Sequence, residues 1–199
     1  HWYAWLLYGL LVIKWHLYDH FRLALTGRMG EHRVRPAQGW QLAVFCGGKV
    51  VFALFAFLLP LTLHSFWAVA GTYTLAAAVT GVVLGAVFQL AHCVEGTDFP
   101  LDHTPGRIDN GWAAHQVETS VDFARDSRVA AWLFGGLNFQ IEHHLFARIC
   151  HVNYPAIAPV VEQTCAEFGV RYGHNATVLQ ALLSHYRWLR RLGAAPATA

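Results

Sequence analysis

The sequence predicts an all-α integral membrane protein, with a transmembrane helical hairpin followed by a cytoplasmic helical region. Three observations carry that prediction. Of 199 residues, 55% are hydrophobic and only 13% are charged, and the mean hydropathy of +0.34 lies outside the norm of soluble chains. Residues 50–94 contain no Asp, Glu, Lys or Arg, a run about twice as long as the ~20 helical residues that cross a bilayer once. Basic residues flank that run, with Lys14, Arg22, Arg28, Arg33 and Arg35 before it and Arg107, Arg125 and Arg128 after it. The turn expected at residues 63–66 has no Lys or Arg, which places both flanks on the cytoplasmic side.

Three regions follow: an interfacial or cytoplasmic connecting segment over 1–40, a two-span hairpin over 41–91, and a cytoplasmic helical region over 92–199. Residues 2–13 are apolar and aromatic but too short to cross a bilayer, and read as an interfacial segment or the end of a helix. His1 has no initiator Met and no basic stretch before the apolar residues, and reads as an internal start. Residues 14–40 mix His16, Asp19, His20 and several Arg with Gly27, Gly30 and Pro36, the composition of a connection lying near headgroups, with Trp40 at the interface.

The first span is expected over 43–63. Lys49 is near enough to its entrance to snorkel, and Pro60 sits near the far end, where a missing backbone bond costs least. The second is expected over 67–91. There Gly81 and Gly85 permit close helix contact, a pattern too frequent in membrane helices to carry weight alone. A turn-rich stretch over 97–110 precedes helical stretches at 112–123 and 128–146, the latter interrupted at Gly135 and Gly136. A further helix opens at Pro155 and closes at Gly169. The last begins near 177 with Leu179, Leu182, Leu183 and Tyr186 on one face, suited either to its own domain or to a membrane surface. Residues 194–199 read as a frayed tail.

A net charge of +2 with dispersed basic residues gives no stripe for nucleic acid. Cys46, Cys93, Cys150 and Cys165 form no CxxC pair and read as free thiols. Of the thirteen histidines, His1, His16, His20, His32, His64, His151, His174 and His185 have no ligand-like spacing. Residues 138–146 differ. On a helix, Gln140, His143 and His144 fall at i, i+3 and i+4 and share one face, an arrangement that suits iron, copper, nickel or zinc. His92 stands where the second span leaves the bilayer on that same side, which makes it a functional candidate.

The string GGLNFQIEHHLF at 135–146, followed by Arg148-Ile149-Cys150-His151 and Tyr154-Pro155-Ala156-Ile157, resembles the third histidine box and downstream region of membrane fatty acid desaturases. It is most similar to the front-end and linoleoyl-CoA-desaturase-like branch, in which Gln replaces the first His of the box. FQLAHCVE at 88–95 resembles that family's membrane-exit segment, where a histidine is a ligand, and Gly111-Trp112, 115–119 and Asp122-Phe123 match its pattern. The resemblance implies a partial desaturase fold, a cytoplasmic di-iron centre, O₂ as oxidant, and insertion of a double bond into a fatty acyl chain in lipid metabolism. It implies His92, His143 and His144 as iron ligands with Gln140 a ligand or close neighbour, and Trp112, Gln116 and Thr119 near the acyl channel. The partners it implies are a fatty acyl lipid, acyl-CoA or acyl-carrier substrate, membrane lipid, and a ferredoxin-like or cytochrome b5-like electron donor.

Two departures qualify it. The family's HxxxH and HxxHH boxes are absent; the HxxxH formed by His16 and His20 stands in another context, and Ala147 replaces the Pro that commonly follows HHLF. Four donors are too few to enclose two iron ions, so the chain is expected to hold part of a site and to be inactive alone. Related membrane di-iron lipid hydroxylases share the boxes, a His-ligated membrane haem protein would need histidines deep within two spans, and a non-catalytic membrane scaffold is the remaining reading.

Overall fold

The computed structural model describes residues 1–29, 32–99 and 111–194. Gly30, the part of the expected turn-rich stretch over 100–110 with Pro100, Pro105, Gly106 and Arg107, and the tail over 195–199 lie outside the described residues. The chain forms two compact units, Trp2–Gly85 and the remainder from Ala86 onward together with His1.

In the first unit, helices α1 (Ala4–Gly9) and α2 (Leu11–Lys14), a π turn (Trp15–Asp19) and α3 (His20–Thr26) follow one another closely. Gly27, at φ +62°, ends α3 by donating its N–H to the Leu23 carbonyl at 2.9 Å, a left-handed cap that an L side chain would strain. A short antiparallel pair, β1 (Arg28–Met29) and β2 (His32–Arg33), comes next. The two apolar helices are α4 (Trp40–Leu61), with a π turn at Leu54–Leu58, and α5 (Phe66–His92), close to the spans read from the sequence.

None of the most apolar stretch of α4 is buried against protein, and only 33% of that of α5. The core helix of a soluble protein would bury those faces; here side chains such as Trp67, 81% exposed, are left uncovered among the described residues. Gly81 and Gly85 carry more than the sequence reading granted. A Cβ on Gly81 would stand 2.3 Å from the Tyr8 carbonyl, and one on Gly85 would stand 2.8 Å from the Tyr8 ring. The missing side chains are what lets the α1 backbone approach α5.

The second unit contains α6 (Trp112–Glu118), β3 (Val121–Phe123), α7 (Arg128–Leu133), α8 (Gln140–Leu145), α9 (Tyr154–Phe168), β4 (Gly173–Asn175) and α10 (Val178–Ala194). The helix expected over 112–123 stops at Glu118 because the following residues are extended: β3 is buried throughout and pairs in parallel with β4, Asp122 opposite His174. Among the described residues the architecture is thus mostly helical with two small strand pairs. The stretch over 128–146 divides in two. Gly135 and Gly136 adopt φ +57° and +78°, which ends one helix and lets the chain re-enter another.

Helix α9 opens with Pro155 near its start and closes at Gly169, φ +68°, as the sequence indicated. The last helix packs on its own unit through Ala181, Ser184 and His185, leaving Leu179 and Leu183 exposed. His185 Nδ1 donates to the Cys93 carbonyl at 2.6 Å; since a carbonyl only accepts, Nδ1 carries the proton. All four cysteines are free. Leu90, Phe123, Ala130 and Ala181 form one core cluster and Val117, Ile141, Val161 and Cys165 another, and the second fixes which face of α8 turns inward.

Candidate metal centre

Helix α8 has no side-chain cap of its own. Its Ile141 N–H is instead satisfied by the buried Asp122 carboxyl of β3 at 3.0 Å, which ties the start of the helix to the strand. With the Ile141 side chain fully buried in the core, the face bearing Gln140, His143 and His144 is directed toward α6 and the end of α5.

There the rings are held in one protonation pattern. His144 Nδ1 lies 2.7 Å from Gln116 Oε1, and an amide oxygen only accepts, so Nδ1–H donates. His144 Nε2, 2.9 Å from Gln140 Nε2, then accepts from that amide. Burial, followed by the neighbouring His92 and His143, pushes the His144 pKa down to about 4, so the ring is neutral at physiological pH, as a metal ligand must be. His92 Nδ1 likewise donates to the Thr119 carbonyl at 3.3 Å. In both rings Nδ1 is occupied and the basic lone pair is on Nε2.

The His92 and His144 ring centroids are 5.1 Å apart, and those of His143 and His144 5.9 Å. The structure therefore brings His92, Gln140 and His144 together and sets His143 beside them. Gln116, one turn after the exposed Trp112 on α6, engages the His144 ring, and the carbonyl of Thr119, which follows α6, engages the His92 ring. Behind the box, Ala113, Val117, Leu145, Phe146, Val161 and Phe168 line an apolar cavity of about 300 Å³.

The residues fit a metal in part. The His92 and His144 rings have Nδ1 engaged, and the buried Gln140 Oε1 has no hydrogen-bond partner, an orphan acceptor inside the cluster. Yet among the described residues no group of three or more His, Cys, Asp or Glu side chains is placed to hold an ion. The donors suit part of a histidine-ligated site and do not close one.

The sequence reading missed the groups that brace this helix. The Tyr172 hydroxyl lies 2.6 Å from Asp122 Oδ2 and 3.0 Å from Glu142 Oε1, and accepts from Arg125 at 3.3 Å, while Arg125 also pairs with Glu162 at 2.9 Å. Burial, then the neighbouring Glu142, raises the Asp122 pKa well above the ordinary carboxylate range. One hydroxyl has a single proton to share between the two carboxyls, and the buried Glu142 Oε2 has no hydrogen-bond partner. Asp122 and Glu142 both lie within the quoted family strings; Tyr172 is 30 residues beyond Glu142 and no spacing rule links them.

The profile of the family described as Fatty acid desaturase matches residues 1–176. The chain is 40% identical over 197 residues to an acyl-lipid (8-3)-desaturase of Physcomitrium patens, covering 97% of this chain and 40% of that protein. It is 37% identical over 195 residues to an sn-1 linoleoyl-lipid 6-desaturase of Synechocystis sp., covering 97% and 54%, and 37% identical over 190 residues to an acyl-lipid (8-3)-desaturase of Mortierella alpina, covering 96% and 43%. The chain thus spans about half the length of the curated relatives it matches. No solved structure matches it. A profile match over 176 residues that includes both His92 and the histidine box shows that the chain belongs to the fatty acid desaturase family.

Proposed function

We propose that this chain supplies the C-terminal part of a membrane fatty acid desaturase, in which His92, His143 and His144 ligate a di-iron centre with Gln140 as a further or adjacent donor. The observation that carries the reading is the pair of neutral rings, His92 and His144, each with Nδ1 donating to a neighbour so that Nε2 carries the lone pair, which in His144 accepts from the Gln140 amide. Iron with O₂ supplies the oxidising power to remove hydrogen from an unactivated methylene, which no amino-acid side chain has. The chain's own residues position and exclude: Gln116 and Thr119 orient the rings, Ile141 anchors the helix, and the apolar wall keeps water from the box.

The substrate in this reading is a fatty acyl chain carried on a lipid, CoA or another carrier, and membrane lipid delivers it, since each buried CH₂ is worth about 0.8 kcal/mol. Exposed Trp112 is the residue of the α6 face free to meet it, with Gln116 and Thr119 deeper along that face. Residues 1–40 form the interfacial connection, 41–91 a transmembrane hairpin, and 92–199 a region on the cytoplasmic side. That side receives electrons from a ferredoxin-like or cytochrome b5-like donor.

The test is acyl-chain analysis and iron content of membranes expressing residues 1–199 alone and joined to a segment bearing the two missing boxes. Product is expected only from the joined chain, and His143→Ala or His144→Ala should abolish it. Gln140→Ala should lose about 10 to 100-fold if it acts beside the metal, and exposed His174→Ala should be near neutral. Full activity after removal of both His143 and His144 would overturn the metal reading.

A further inference from the structure

Lys49 is the only Lys, Arg, Asp or Glu within α4 (Trp40–Leu61). With Leu61 at one face of a ~30 Å layer it stands ~18 Å inside, and ~12 Å from the other face. A cation at that depth is a functional candidate whose partner has to be found. Its Nζ meets the His16 carbonyl at 3.4 Å and His20 Nδ1 at 2.9 Å, and lies over the rings of Phe21 and Phe45 at 5.1 and 5.6 Å. Each of these partners is electrically neutral. Burial, and next the Lys49 charge itself, hold both His16 and His20 below the ordinary imidazole value. Asp19 is turned to Lys14 at 2.5 Å. Among the described residues no carboxylate pairs with Lys49.

Lys49 also lines a cavity of about 600 Å³, with His16, His20, Phe45, Phe52 and Arg35, a volume typical of sites for small molecules. Arg35 is exposed and belongs to the basic connection ahead of α4; Lys49 is half-buried. The cavity therefore runs from an exposed cation to a deeper one along apolar and aromatic walls. We propose that it binds the phosphate of an anionic glycerolipid, with Lys49 and Arg35 as counter-charges and the apolar walls holding the glycerol and first methylenes. Charge complementarity asks for an anion, the walls ask for an amphiphile, and phosphate-bearing glycerolipids combine the two. Inorganic phosphate has the charge but nothing to set against Phe45 and Phe52. The site rests on the membrane reading of α4 and is independent of the metal centre.

Purified residues 1–199 in phosphatidylcholine nanodiscs, titrated with phosphatidylglycerol and read by native mass spectrometry, test this without iron or oxidation. Retention of phosphatidylglycerol about tenfold or more above phosphatidylcholine is expected from two cations lining the cavity. Lys49→Gln should remove the preference, Lys49→Arg should keep it, and the exposed change Arg35→Gln should weaken it severalfold. Excess inorganic phosphate should leave retention unchanged, and displacement by it would overturn the lipid in favour of free phosphate. Equal retention of the two lipids would overturn the site itself. If Lys49→Gln fails to fold, an unchanged preference in Arg35→Gln does the same.

Discussion

Gln116 on α6 accepts the Nδ1–H of His144 on α8 at 2.7 Å, so the tautomer of a box histidine is set from another helix. Removing such an orienting partner costs about 10 to 100-fold in metal affinity or activity. Gln116→Leu is therefore expected to lower both iron per chain and product by that factor in the chain joined to the missing boxes, whereas Gln116→Glu, which keeps an acceptor, should lose less. Unchanged iron content in Gln116→Leu would show that the contact does not orient a ligand.

The Asp122 carboxyl caps α8 with a raised pKa, and the sign of its effect on stability follows. A group whose folded pKa exceeds its unfolded value, about 3.9 for Asp, contributes stability that is complete below the unfolded value and lost as pH rises through the folded one. The melting temperature of the metal-free chain should therefore fall as pH rises above about 4, and Asp122→Asn should flatten that part of the slope. Parallel curves for the two proteins would refute it. Tyr172→Phe removes the bridging hydroxyl and should cost about 1 to 3 kcal/mol at any pH where the chain is folded.

Two adjacent glycines separate backbone strain from crowding. Gly135 and Gly136 both have positive φ, but a Cβ on Gly135 meets nothing within 4 Å, whereas one on Gly136 would stand 2.6 Å from the His151 Cβ. Gly135→Ala should cost about 1 to 2 kcal/mol, the left-handed penalty of an L residue. Gly136→Ala must add displacement of His151 to that penalty. Equal melting temperatures for the two variants would contradict the crowding.

What the sequence displays and what it conceals divide along physical lines. Both apolar helices are legible because lipid exposure demands composition, and α9 because Pro155 and Gly169 punctuate it. The convergence of Gln140, His143 and His144 is legible because helical spacing is local. β3 and β4 are not, since three-residue strands paired across 50 residues leave no periodicity. The roles of Gln116 and Thr119 toward the rings, and the Asp122–Glu142–Tyr172 bracing, depend on contacts between distant segments. Gly81 and Gly85 were visible as a pattern, but only the approach of Tyr8 shows which backbone they admit.

The arrangement of the spans is testable with one engineered and one native cysteine. α4 and α5 are joined at residues 62–65, a stretch without Lys or Arg, while basic residues precede α4 and follow α5. α5, with 27 residues, is about 40 Å long, more than one ~30 Å layer needs, so it can tilt or carry His92 beyond the hydrocarbon. If the two helices cross as a hairpin, Ser65 faces the outside and Cys150, exposed in the second unit, faces the cytoplasm. In a Cys46→Ala background, an impermeant maleimide added to intact cells should label Ser65→Cys at once and Cys150 only after permeabilisation. Labelling of both from the same side would break the hairpin, and labelling of Cys150 alone would invert it, placing the histidine cluster away from a cytoplasmic electron donor.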